Sequence, residues 1–144
     1  MVRTFLLLTL IGGLVACRRE PMHIYPLAPY VTSVYVEGVE RMREYYVVEN
    51  YHGDTAALRQ YLDKFVATVI KDKPQKHDQF YLYIYQSSGN ANKNTSNTGH
   101  IEPEFDYVHD LIADRTWGHI PSNRELHDAG WSFYEDGKFL LPQN

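Results

Sequence analysis

The side chains that could carry out chemistry are concentrated in one polar segment, residues 87–110. It holds two histidines and four carboxylates within a short stretch: His100, His109, Glu102, Glu104, Asp106 and Asp110. Zinc sites usually combine closely spaced pairs, such as two His on one helical face or a pair of Cys. This segment has neither kind of pair, so the sequence predicts no metal site and no cofactor.

A serine hydrolase is a second chemistry that this segment could support. Ser87-Ser88-Gly89 follows a strongly patterned strand, where a nucleophile could lie. The segment lacks the Gly-x-Ser-x-Gly turn of the α/β-hydrolases. His109 and Asp110 are neighbours, so on a strand they would point to opposite faces. Carboxylate pairs from residues 102–106 are equally typical of a solvated loop. We therefore predict no catalytic residue and do not favour an enzyme.

The strand predicted over residues 79–86 carries two different stripes. Phe80, Leu82 and Ile84 share one face, and the other holds three tyrosines: Tyr81, Tyr83 and Tyr85. One helix can cover only one of these faces, and Tyr tolerates partial exposure because its hydroxyl stays hydrogen-bonded. We predict that the three tyrosines form a partly exposed binding face beside the loop of residues 87–99. The alternative is that another layer of the chain covers them.

The clearest element is a helix that begins after Asp54 and ends before Pro74. Its apolar residues recur at the spacing of one helical face: Leu58, Tyr61, Leu62, Phe65, Val66, Val69 and Ile70. Asp54 or Thr55 can cap its first turn. This helix is expected to cover the Phe80 stripe.

Strands account for most of the remaining pattern. They are predicted over residues 31–37, 43–51 and 110–118, although residues 105–117 are also compatible with a helix. Asp136-Gly137 is predicted to form a type I′ hairpin turn between Trp131–Glu135 and Lys138–Leu141. The fold class predicted is α+β, in two layers, with one main helix packed on a mostly antiparallel sheet of four to five strands.

Residues 1–16 are typical of an export leader. Arg3 gives a positive start, an apolar run follows, and Ala16 is a small residue at a possible cleavage site. The run is shorter than the roughly 20 apolar residues that a membrane-spanning helix needs. The charged residues that follow it, Arg18-Arg19-Glu20, end it abruptly.

Leu14-Val15-Ala16-Cys17 resembles the lipobox of bacterial lipoproteins. In that family the Cys thiol receives a diacylglyceryl group, the chain is cleaved before the Cys, and the new amine is usually acylated. The resemblance implies lipidation of Cys17 and anchoring to a membrane, since each buried CH₂ contributes about 0.8 kcal/mol. Residues 17–30 are predicted to be a lipidated tether, and residues 31–144 a single domain.

The rest of the chain loosely resembles small lipoproteins of the Bacteroidetes. The likeness covers a strand, a capped helix, a Tyr-rich strand and a closing hairpin with Trp131, Phe133 and Tyr134. Asp54-Thr55-Ala56 also resembles the three-residue O-glycosylation site of exported proteins in these bacteria. Because Arg18 and Arg19 differ from the Asp signal that retains some lipoproteins in the inner membrane, we expect the outer membrane.

Charge and cysteine content limit the classes of function that the sequence supports. Lys and Arg number 14 against 18 Asp and Glu, which gives a formal net charge of −4 and argues against nucleic acid. Cys17 is the one cysteine, so its lipidation leaves no thiol for disulfides, metal binding or catalysis. These features favour a non-enzymatic, lipid-anchored envelope protein that binds a protein or a glycan. A small periplasmic hydrolase and an immunity protein against a secreted toxin are the alternatives.

Overall fold

A computed structural model describes residues 20–89, 91 and 108–140. The strands described within these ranges form one six-stranded sheet, whose spatial order follows the chain order. The strands are β1 (His23–Val36), β2 (Val39–Glu49), β3 (Gln79–Gln86), β4 (Leu111–His119), β5 (Leu126–Glu135) and β6 (Lys138–Leu140). Helix α1 (Thr55–Phe65) continues into a π-helical turn (Val66–Ile70).

The sheet is antiparallel except between β2 and β3, which run parallel. A parallel pair needs a crossover connection, and α1 lies in that connection. The predicted α+β class, with one main helix and a mostly antiparallel sheet, is therefore confirmed. The predicted count of four to five strands is too low, because the weakly patterned β1 and the three-residue β6 both pair with their neighbours.

The first strand begins earlier than the sequence suggests. Residues 23–30, which we assigned to the tether, belong to β1 and pair with β2 from His23 onward. Pro26 is tolerated there because β1 is an edge strand, and the pairing register shifts between Pro26 and Val31. A proline-rich segment can thus join a sheet at its edge.

The helix forms as predicted at its start and differs at its end. The Asp54 carboxylate accepts a hydrogen bond from the Ala57 amide at 3.0 Å, which confirms the predicted cap. Phe65 and Ile70 are both buried, whereas Val69 is 50% exposed although we expected it on the apolar face. The π-helical turn explains this difference, because its wider i to i+5 repeat brings Ile70, five residues after Phe65, into the core and leaves Val69 outside.

The main core lies between the helical segment and the sheet. Phe80, Leu82 and Ile84 are fully buried in it, as the alternating pattern predicts. The other buried members come from the helix and from strands β2 and β4: Leu58, Leu62, Phe65, Ile70, Tyr46, Val48, Ile112, Ala113 and Trp117. We call this side of the sheet the covered face.

Arg115 joins the helix to the far strands on the covered face. Its guanidinium lies 5.0 Å from the Trp117 ring centroid and 5.3 Å from that of Trp131. It also donates to Asp128 at 3.0 Å through Nε and to Asp63 of α1 at 3.4 Å through Nη1. Trp131 Nε1 donates to the same Asp63 oxygen at 2.8 Å. A cation on this face therefore has both aromatic and carboxylate partners.

The strand assignments near the end of the chain are also resolved. Residues 111–119 are strand, as preferred over a helix, and a short 3₁₀ turn (Val108–Asp110) precedes them. Asp136 and Gly137 have φ angles of 50° and 71°, which confirms the positive backbone angles expected for the hairpin turn. In the part of the chain that the structure describes, no helix combines the length and apolar character needed to cross a membrane.

Candidate functional site

The second face of the sheet is buried at one end. A separate apolar cluster forms there from Leu27, Tyr45, Val47, Tyr85 and Ala91, with Tyr83 and Leu111 packed against it. Tyr85 is 0% exposed, so the predicted exposure of this tyrosine is wrong. The cause is that residues from β1 and from the segment after β3 supply a local second layer at this end.

The other end of the second face is half-buried to exposed, and we call it the open face. Strand register fixes its members, because residues directly opposite in neighbouring strands share a side of the sheet. The open face comprises Val34, Val36, Val39, Arg41, Arg43, Tyr81 and Tyr83. Tyr81 and Tyr83 are half-buried, in agreement with the predicted partial exposure of these two.

The tyrosine rings of this region stack on one another. The Tyr83 ring lies 5.3 Å from that of Tyr45 at an interplanar angle of 12°, and 6.4 Å from that of Tyr81 at 6°. Two neighbouring rings are therefore stacked against the Tyr83 ring. Stacking of a sugar ring, which needs a free aromatic face, is disfavoured at Tyr83. Ring edges and hydroxyl groups remain for contact with a partner.

Two arginines stand beside the tyrosines on β2. Arg43 pairs in register with Tyr81, and Arg41 pairs with Gln79, whose amide oxygen accepts from the Tyr81 hydroxyl at 2.9 Å. The Nε atom of Arg41 is buried, and among the described residues it has no hydrogen-bond acceptor. A buried donor without an acceptor costs free energy. The described residues thus leave this donor of Arg41 without a hydrogen bond.

Exposed valines extend the open face to the tip of the β1–β2 hairpin. Val34 and Val36 are 41% and 37% exposed and lie opposite Arg41 and Val39 in the register. The turn between the strands is closed by Glu37 and Gly38, with φ angles of 53° and 80°. The open face therefore combines apolar, aromatic and cationic side chains on one side of the sheet.

A carboxylate lies on the side of the tyrosines away from the arginines. Asp114 pairs in register with Tyr83 and accepts a hydrogen bond from the Tyr134 hydroxyl. Burial raises the pKa of Asp114, although hydrogen bonds from Tyr134 and Ser132 act in the opposite direction. Burial, followed by the hydrogen bond to Asp114, raises the pKa of Tyr134 to about 12. Tyr134 therefore stays protonated at neutral pH and donates to Asp114.

Other polar clusters are used within the fold. The buried Glu44 accepts from Lys73 Nζ at 2.7 and 2.9 Å and from the Tyr46 hydroxyl at 2.9 Å. Burial, then this hydrogen bond, raises the pKa of Tyr46. The backbone N–H of Glu40, then Arg124, lowers the pKa of Asp78. These groups bind one another, and their hydrogen bonds and ion pairs connect separate segments of the fold.

Of the residues first considered for chemistry, the described ones that the structure brings together are Ser88 and Asp110. Ser88 donates to Asp110 at 2.8 Å, and His109 contacts Asp136 at 3.1 Å. His100 and the carboxylates of residues 102–106 lie outside the described residues, as does most of the loop of residues 87–99. Within the described ranges, no group of three or more His, Cys, Asp or Glu is arranged to hold a metal ion.

Arg41 was missed because the predicted strand began at residue 43, and Arg43 was included in that strand but not considered as a functional residue. A signal was present, since Val39, Arg41, Arg43, Tyr45 and Val47 alternate over the whole of β2. Comparison of the chain with known protein families, characterised proteins and solved structures finds no match.

Proposed function

We propose that this chain is a lipid-anchored, non-enzymatic protein of the cell envelope that binds another protein through its open face. The observation that carries the proposal is the composition of that face. Tyr and Arg are the residues most enriched where protein interfaces bind tightly. Here Tyr81, Tyr83, Arg41 and Arg43 are adjacent in the register and continue into exposed valines.

A glycan is the weaker of the two ligand classes for this surface. The side chains of Val34, Val36 and Val39 offer no hydrogen bonds to sugar hydroxyls, and two neighbouring rings already stack on the Tyr83 ring. An exposed apolar strip of this kind gains free energy when a protein surface removes it from water. The mixture of valine, tyrosine and arginine therefore supports a protein partner.

The anchor part of the proposal depends on Cys17. Replacing its thiol in Cys17→Ser removes the atom that would receive the lipid. We expect the variant to stay uncleaved or to leave the membrane fraction, whereas the wild-type chain partitions into detergent. Detergent phase partitioning of both chains measures this, and equal partitioning of a cleaved variant would contradict lipidation.

Site-specific photocrosslinking in living cells tests the binding part. A photoreactive residue placed at Val36 samples the open face, and one placed at Val69 samples the helical side, where a valine is similarly exposed. We expect a discrete protein adduct from position 36 that position 69 does not give. Absence of an adduct at position 36, or the same adduct from both positions, would contradict the proposal.

A further inference from the structure

We infer that the partner presents a carboxylate beside apolar side chains, and that Arg41 is the residue that binds this carboxylate. This inference rests on the proposed protein-binding function and specifies the chemistry of the partner. It starts from the contrast between the chain's net charge of −4 and the two adjacent cations on the open face. Arg43 already takes part in an interaction within the protein, so the inference concerns Arg41.

Arg41 has no ion pair with any described residue, and its buried Nε has no acceptor among them. The Arg41 residue as a whole is half-buried, so part of its side chain remains accessible to a carboxylate of a partner. The guanidinium can bind a carboxylate through two parallel hydrogen bonds, which are stronger than those between neutral groups. Arg41 thus gains on binding an ionic partner that the described residues do not supply.

The surroundings of Arg41 indicate where the carboxylate sits in the partner. Val34 lies directly opposite Arg41, and Arg43 is the next residue on the same side of β2. Same-side residues on a strand are roughly 7 Å apart. An extended partner segment with acidic side chains at alternate positions repeats at the same distance, and its apolar residues could contact Val34 and Val36.

A defined peptide tests the inference. The full chain, purified in detergent, is titrated with a synthetic peptide of alternating Glu and Val and with the same peptide carrying Gln for Glu. The NMR signal of the Arg41 Nε–H group and the Kd are measured. We expect the Glu peptide to shift this signal and to bind about tenfold more tightly than the Gln peptide.

Charge-matched variants separate Arg41 from general electrostatics. Arg41→Gln is expected to lose the preference for the Glu peptide, whereas Arg59→Gln, an equal charge change on the exposed side of α1, is expected to keep it. Equal binding of the two peptides, or equal losses in the two variants, would overturn the inference. Competition by oligogalacturonate as strong as that of the Glu peptide would also overturn it, in favour of an anionic glycan.

The in-cell adduct distinguishes failure of this inference from failure of the proposed function. If the adduct from position 36 forms with undiminished yield in the Arg41→Gln background, a partner exists but does not use this arginine. If position 36 gives no adduct in the wild-type background, the open face has no protein partner at all.

Discussion

Arg115 and Arg41 lie on opposite faces of one sheet and have different surroundings. Arg115 is positioned by two tryptophan rings and by the carboxylates of Asp63 and Asp128. Arg41 has a buried Nε without an acceptor in the described part of the chain. Among the described residues, the cation on the covered face thus has partners, and the buried Nε of the cation on the open face has none.

The largest difference in stability is expected between two tyrosines of the same stripe on β3, Tyr85 and Tyr81. Tyr85 is fully buried, so Tyr85→Ala should cost about 3–5 kcal/mol of unfolding free energy, as for other large aromatic residues in a core. Tyr81 is half-buried, and Tyr81→Ala should cost about 1 kcal/mol, chiefly its stacking on Tyr83. Urea unfolding measures both values. Similar losses would show that the two ends of this face are equally buried.

A smaller difference in stability is expected between Arg115→Ala and Arg41→Ala, which each remove one positive charge. Arg115→Ala removes two ring contacts, so we expect a loss of roughly 1–3 kcal/mol. The contacts with Asp128 and Asp63 add little, because both carboxylates are exposed and screened by solvent. Arg41→Ala removes a buried donor that has no acceptor among the described residues, so any loss of stability should be about 0.5 kcal/mol or less. A greater loss for Arg41→Ala in urea unfolding would mean that Arg41 is a structural residue.

The smallest effect concerns Asp114 and depends on pH. Burial raises the pKa of this carboxyl, so folding favours the protonated form, and stability attributable to Asp114 increases as pH falls through the raised pKa. Asp114→Asn removes the charge and keeps an oxygen that can accept from Tyr134. We expect the variant to melt at a slightly higher temperature than wild type at pH 7, with the difference vanishing near pH 4.

The contributions of the other acids to the pH dependence of stability cancel when Asp114→Asn is compared with wild type, because both proteins contain these acids. They include Asp78, and also Asp128, whose pKa partial burial raises but hydrogen bonds from Arg115 and the Gly130 N–H lower by more. A group with a lowered pKa loses its stabilising contribution as pH falls, so each acts in the direction opposite to Asp114. A melting difference that grows toward acid pH would contradict the assignment for Asp114.

Local patterns predicted the covered face better than the open face. The alternation of β3 and the Asp54 cap are set by neighbouring residues, and both appear in the structure. The burial of Tyr85 depends on Leu27 and Ala91, which lie in segments that the sequence suggested were tether and loop. To predict that Arg41 lies on the open face, one would need the correct start of β2. Only the pairing of β2 with β1 and β3 defines that start. Contacts between distant segments were therefore the part that local pattern could not supply.

The most direct test of the separation between the two faces is the yield of the position-36 adduct in a Tyr81→Ala background. The adduct is quantified per folded molecule, beside the same measurement in the wild-type background. Central aromatic residues of an interface typically contribute about 2 kcal/mol or more to binding. We predict that the adduct falls severalfold while the protein remains folded. An undiminished adduct from a folded Tyr81→Ala protein would contradict a binding role for this face.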